Sequence, residues 1–397
     1  MNKKLDIYFF GESGPYDEFN PGYVCSKEFV PEILYLIAYN EPYSIARDEI
    51  IEIIKINGEE FDNIIESLKR IDAIDIVKNK YKLNFPVFLE EDMPLLDKHF
   101  KNIGEVVGNK IINKKDQIYI EMSKLSNYNS FPKERLLYHV ICDDIFDGTA
   151  FDFFEKKNIF SSSKLQPGNR NYIIFGYEDS EGVQNHSNKI LCSSNNYSSK
   201  SFTFNSFGDS DGIRKDMFRF FRQIEKNLED ATPFNDLNLD YIKIIEQKNS
   251  EIVEKCGELV WKSYKNKINC NQLPKIEKDM AKFLVKFEYL SIDEKYNTIV
   301  CNVPVFQGSD NEIVNEISDI VLNQICDIVK STFDKFEKEA IELTAIRHKN
   351  SMKEVAIELW HQIFGFTNEY LSKIGFIQSP KYVKGEGRYL RSLHIYD

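Results

Sequence analysis

The chain has 397 residues, 42% of them hydrophobic and 29% charged, an ordinary globular composition with length enough for two or three domains. No apolar run approaches the ~20 residues needed to cross a bilayer, and Met1 to Tyr8 lacks the apolar stretch of a signal peptide, so a cytoplasmic protein with no membrane partner is expected. A net charge of -12 argues against a chain that coats itself in nucleic acid, because non-specific affinity comes from Lys and Arg neutralising phosphates, yet it leaves room for a local basic surface.

In chain order, residues 1–25 read as an N-terminal extension. Residues 26–90 read as three helices and a hairpin. Phe29, Ile33, Leu34, Leu36 and Ile37 line the first helix, Glu41-Pro42-Tyr43 connects it to a second from Ala46 to Ile54, and Asn57-Gly58 turns into a third ending at Arg70. Phe61, Ile64, Ile65 and Leu68 form the buried face of that third helix, and Ile74 to Leu83 folds back around Lys78-Asn79-Lys80. Residues 91–176 are expected to hold a long helix, about Leu95 to Leu125, an amphipathic helix, and a closing strand at Tyr172 to Phe175. Residues 177–249 are rich in Asn, Ser and Gly. Lys189 to Cys192 and Ser201 to Phe207, the latter alternating with period two, read as an inserted β-hairpin, followed by a helix at Met217 to Asn227 and a lead-in from Asp236 to Lys248. Residues 250–308 repeat the helix-and-hairpin pattern. Residues 309–397 hold a long helix from about Asn311 to His348, striped by Ile313, Ile317, Ile320, Val321, Ile328, Val329 and Phe336, then an amphipathic helix and a closing strand at Tyr389-Leu390. The expected class is α+β, helix-rich.

The second half echoes the first in register. Asn84-Phe85-Pro86-Val87-Phe88 matches Asn302-Val303-Pro304-Val305-Phe306 in four of five positions at an offset of 218, and Ile145-Phe146 recurs as Ile363-Phe364. Phe153 to Phe160 aligns with Tyr370 to Ile377 at 217, as do the closing strands at Tyr172 and Tyr389. Two diverged copies of one unit on a single polypeptide are therefore expected.

Three helices followed by a hairpin resemble the winged helix-turn-helix of bacterial transcriptional regulators of the ArsR and MarR type, here as a tandem pseudo-dimer. The resemblance covers about 60 residues of the first copy and a weaker stretch from about Ile252 to Phe306. It implies that the third helix enters the major groove while the hairpin, the wing, touches the backbone. In the first copy that helix exposes Glu59, Glu60, Asp62, Asn63, Glu66, Ser67, Lys69 and Arg70, with further cations on the wing at Lys78, Lys80 and Lys82. In the second, Lys275, Lys278, Lys282 and Lys286 fall on one helical face opposite Met280, Phe283, Leu284 and Phe287, with Lys262, Lys265 and Lys267 just upstream. These cations are the candidate DNA-binding residues.

Signs of other chemistry are few. The seven cysteines, Cys25, Cys142, Cys192, Cys256, Cys270, Cys301 and Cys326, lack zinc-ligand spacing and read as reduced core residues. Neither a Gly-x-Gly-x-x-Gly nor a P-loop pattern occurs, and no His-Glu-x-x-His, so no cofactor, no metal and no catalytic set are expected. His139 and His361 occupy nearby positions in the repeat and read as core or helix-surface histidines. Asp143, Asp144 and Asp147 form an acidic patch, Glu90-Glu91-Asp92 a helix N-terminus, and Asp209-Ser210-Asp211-Gly212 a loop turn without a complete calcium ligand set. Aromatic clusters at Phe151 to Phe154 and Phe218 to Phe221 are core candidates that could also line a pocket for a small apolar or peptide effector. The expected function is a non-enzymatic DNA-binding transcriptional regulator, its partner double-stranded DNA. The alternative is an adaptor or inhibitor that meets a protein partner through the acidic face of Glu59, Glu60, Asp62 and Glu66.

Overall fold

A computed structural model describes residues 3–161, 165–187, 190–225, 249–266 and 268–396. In chain order the first half gives β1 (Leu5–Glu12), α1 (Val30–Tyr39), α2 (Arg47–Ile54), α3 (Gly58–Arg70), β2 (Ile74–Val77), β3 (Lys80–Leu83) and β4 (Val87–Phe88). Then follow α4 (Met93–Phe100), α5 (Ile103–Ile112), α6 (Lys115–Met122), a π-helix over Tyr138–Thr149, α7 (Ala150–Lys156) and β5 (Asn171–Glu178). The remainder gives β6 (Leu191–Ser198), β7 (Phe202–Asp209), α8 (Met217–Glu225), α9 (Asn249–Lys265), β8 (Ile268–Asn269), α10 (Lys275–Lys286), β9 (Leu290–Asp293), β10 (Thr298–Cys301), β11 (Val305–Phe306), α11 (Asp310–Glu337), α12 (Met352–Lys373), β12 (Tyr382–Val383) and β13 (Gly387–Ile395). The protein is a helix-rich mixture of α and β structure. It divides into two compact units, one from Met1–Ile103, Phe151–Asn188 and Cys326–Ile363, the other from Gly104–Ala150, Lys189–Ile325 and Phe364–Asp397.

In the first unit β5 lies between β1, antiparallel to it, and β4, parallel to it with Val87 opposite Gly176 and Phe88 opposite Tyr177. The apolar faces of α1 (Ile33, Leu34, Ile37) and α3 (Phe61, Ile64, Ile65, Leu68) close over Tyr81 and Leu83 of the hairpin. Asn57 caps the amide of Glu59 at 2.8 Å, and acids in the first turn of α3 with Lys69 and Arg70 in the last complement its dipole. At the tip of β2–β3, Lys78 and Asn79 both take positive φ (52° and 57°), the backbone a two-residue hairpin turn needs. The segment Cys326–Ile363 completes this core. Trp360 packs on Phe154 (4.9 Å between centroids), and Phe333 and Phe336 pack on Phe100. Buried His348 accepts the Leu83 amide at Nδ1 (3.2 Å), which leaves Nε2–H to donate to the carbonyls of Ala38 and Asn40.

In the second unit β13 lies between β7, antiparallel, and β11, parallel with Val305 opposite Leu393 and Phe306 opposite His394; β6 extends the sheet beyond β7. Phe204, Phe220, Val253, Cys256, Leu284, Phe287 and Tyr289 form its core. The hairpin β9–β10 follows α10 and is joined by β8. The π-helix, buried from Tyr138 to Asp143 and at Ile145 and Phe146, carries His139, Asp143, Asp144 and Asp147. Tyr138 Oη donates to the Phe207 carbonyl (2.9 Å), and the Ser194 amide donates to Asp147 (3.0 Å).

Several expectations change in detail. The stretch 1–25, expected as an N-terminal extension, contains β1, an edge strand paired with β5. The helix expected at Leu95 to Leu125 is three, α4, α5 and α6, and its later counterpart stops at Glu337, where the Glu339 amide turns back to Phe336. The buried stripe of α11 runs through Val314, Ile317, Val321, Leu322, Ile325, Val329, Phe333 and Phe336, with Ile313, Ile320 and Ile328 half-buried on its flank. The strand around Ser201 to Phe207 does not alternate, since β7 is buried along its whole length between β13 and β6. β7 pairs with β13 as β1 pairs with β5, and among the described residues β6 of the expected hairpin insert has no counterpart beside β1. In the 250–308 stretch a three-residue turn, Cys270–Gln272, lies between α9 and α10. Asp236 to Lys248 lies outside the described residues.

Candidate nucleic-acid interface

The outer face of α3 is acidic and internally neutralised. Glu59, Glu60, Asp62 and Glu66 are exposed beside Lys69 and Arg70. Lys69 Nζ contacts Glu66 at 2.8 Å. Arg47, on α2, donates from Nε and Nη2 to the two carboxylate oxygens of Asp62 at 2.8 Å each, and Nη2 also reaches the Gly58 carbonyl. That fork lowers the pKa of Asp62, keeping it ionised, with the Arg47 hydrogen bond as the main cause. On the β2–β3 hairpin, Lys78 and Lys80 are exposed, whereas Lys82 is half-buried and donates to Asn84 at 2.7 Å. Burial lowers the pKa of Lys82. Beside α3 lies a cleft of about 640 Å³ whose lining includes Lys27, Glu28, Glu59, Glu60, Glu66 and Arg70. The aromatic clusters do not line this cleft; in them Phe154, Phe220 and Phe221 are buried and Phe151, Phe153 and Phe218 half-buried.

The outer face of α10 is basic. Lys275, Lys282 and Lys286 are exposed and Lys278 half-exposed, opposite buried Met280, Ala281, Phe283 and Leu284. Lys282 lies 3.5 Å from Asp279, and among the described residues no carboxylate lies within ion-pair distance of Lys275 or Lys278. The hairpin behind it exposes Glu294, Lys295 and Tyr296 at its tip, with Lys295 over the Tyr296 ring, so this wing is not basic. Upstream, Lys265 stacks over Trp261 at 4.2 Å and Lys262 meets Glu258 at 3.5 Å; Lys267 lies outside the described residues.

Both helices end in one geometry. In the first unit the Ala73 amide donates to the Leu68 carbonyl and the Asp72 amide to Lys69; in the second, Tyr289 donates to Leu284 and Glu288 to Val285. Asp72 and Glu288 take φ of 54° and 57°. Asn84 then donates back to the Ala73 carbonyl and Asn302 to the Tyr289 carbonyl. The sequence reading missed this register because the helices match at 216 residues and the Asn-x-Pro-Val-Phe strands at 218, the second hairpin being two residues longer.

The buried titratable groups sit elsewhere. On the π-helix His139 and Asp143, the latter expected as part of an acidic patch, are buried, while Asp144 and Asp147 are half-buried. Burial pushes Asp143 up to about 7 and Asp147 up to about 8, and holds His139 well below its usual range. Asp209 accepts the Arg388 amide and guanidinium at 2.7 Å each, which explains its loop without a cation. Among the described residues no group of three or more His, Cys, Asp or Glu is placed to hold a metal, and no helix is long and apolar enough to cross a membrane. All seven cysteines are free thiols, four of them buried. No protein-family model, no curated protein and no solved structure matches the chain.

Proposed function

We propose that the chain is a DNA-binding transcriptional regulator, a tandem of two winged-helix units in which the second presents the duplex-facing helix. The reading of a duplication is supported by pairs of equivalent contacts. Phe88 stacks on Tyr177 and Phe306 on His394, each at 5.0 Å. Asp92 takes the Thr344 amide and Asp310 the Ser126 amide, donor and acceptor each displaced by 218. Gln362 meets Tyr177 as Asp144 meets His394. The DNA reading is carried by one observation, the four lysines on the open face of α10 directly ahead of a hairpin, where phosphate contact needs cations on a groove-sized element.

The test is electrophoretic retardation of pooled genomic fragments at low salt. Lys278→Glu with Lys282→Glu is expected to weaken retardation at least tenfold, and undiminished retardation would discard the DNA reading. The adaptor reading draws on a different feature, the charged cleft beside α3. Its mark is stoichiometric capture of a basic protein from nuclease-treated lysate, lost on Glu59→Lys with Glu66→Lys.

A further inference from the structure

The matching turns after α3 and α10 fix which residues of the two helices correspond. With Leu68 equivalent to Leu284 and Lys69 to Val285, buried Ile64 and Ile65 fall on Met280 and Ala281, as expected if the register is right. On the outer faces Glu59 then falls on Lys275, Asp62 on Lys278, Glu66 on Lys282 and Arg70 on Lys286. Three carboxylates in one unit stand where three ammonium groups stand in the other. The same four positions carry a net charge of -2 on α3 and +4 on α10.

From this reversal we infer that the second unit alone touches DNA, and that the target is a single asymmetric half-site instead of a palindrome. The inference rests on the DNA reading above. Asp62 and Glu66 are neutralised by Arg47 and Lys69, and among the described residues Glu59 has no ion-pair partner, so this face offers phosphate no net positive charge and one repelling carboxylate. Arg47, held by Asp62 and Gly58, and Lys69, held by Glu66, are taken up in these pairs and are not presented to phosphate. Lys78 and Lys80 remain on the wing, too few to seat a helix whose own face is repelled. Two-fold readers place like helices in grooves about one helical turn apart, and α3 and α10 are opposite in charge.

The experiment is a salt titration of the full-length protein on labelled random-sequence duplexes about three helical turns long, read by fluorescence anisotropy. Four lysine contacts give a slope of log affinity against log salt near ~-3.6, and a second engaged unit would roughly double it. Lys78→Glu with Lys80→Glu should leave affinity within about twofold, while Lys278→Glu with Lys282→Glu removes it. In the gain-of-contact variant, Glu59→Lys with Glu66→Lys, the slope should steepen by about two and affinity should rise. A wild-type slope near ~-7 with loss on substituting Lys78 and Lys80 overturns the one-sided site while keeping DNA binding. No binding by the folded wild-type protein overturns both.

Discussion

Asp310 is 1% exposed and accepts three hydrogen bonds, from the Ser126 amide (2.8 Å), the Ser126 hydroxyl (2.7 Å) and the Gln307 amide (2.8 Å). Replacing it with alanine takes the acceptor from two part-buried backbone amides and one hydroxyl. Asp310→Ala should therefore cost ~2–4 kcal/mol, more than a surface cap would, and urea denaturation followed by fluorescence measures it. Asp92, bonded to the amides of Leu89 and Thr344, should behave alike. Neither role is visible in sequence. Glu90-Glu91-Asp92 announces a helix start, but its third carboxylate reaches an amide 252 residues away, and no local pattern encodes that partner.

At the scale of elements, glycine decides a contact that composition would overlook. A Cβ on Gly104 of α5 would meet the Phe366 carbonyl of α12 at 2.3 Å, and one on Gly108 would meet the Tyr370 ring at 2.5 Å. Alanine is the better helix former by ~1 kcal/mol, yet here the clash is with backbone, which cannot rotate away. Gly104→Ala should destabilise by ~1–3 kcal/mol, a lowered urea midpoint being the readout and an unchanged or raised one the refutation. The helices and hairpins of 26–90 were legible in sequence because their periodicity, Asn57 cap and Lys78-Asn79 turn are all local. The break of the expected helix into α4, α5 and α6, and the burial of β7 on both faces, were not, since each depends on what packs around the segment.

Over the whole molecule, each compact unit draws on both halves of the sequence. Residues 1–188 made alone lack Phe333, His348 and Trp360, so they should give a poorly dispersed amide spectrum; a dispersed one would show that the first unit needs no later residues. The pH profile has a defined sign as well. Asp143 and Asp147, raised by burial to about 7 and about 8, hold protons in the fold that the unfolded chain has released, so stability falls as pH rises through their folded values. Buried His348, His361 and His394, lowered to about 4, act in the opposite sense only below the usual histidine range. Between about pH 6.5 and 8 the carboxylates should therefore dominate, the melting temperature should drop, and Asp147→Asn should flatten that drop. Sequence by itself determined the local elements, the 218-residue echo and the lysine face of α10, because periodicity and spacing are written in neighbouring residues. Only the tertiary structure decided that Asp143 of the acidic cluster is buried, that β1 and β7 play matching parts, and that Glu59, Asp62 and Glu66 stand where Lys275, Lys278 and Lys282 stand, because burial and register are set by contacts between residues far apart in the chain.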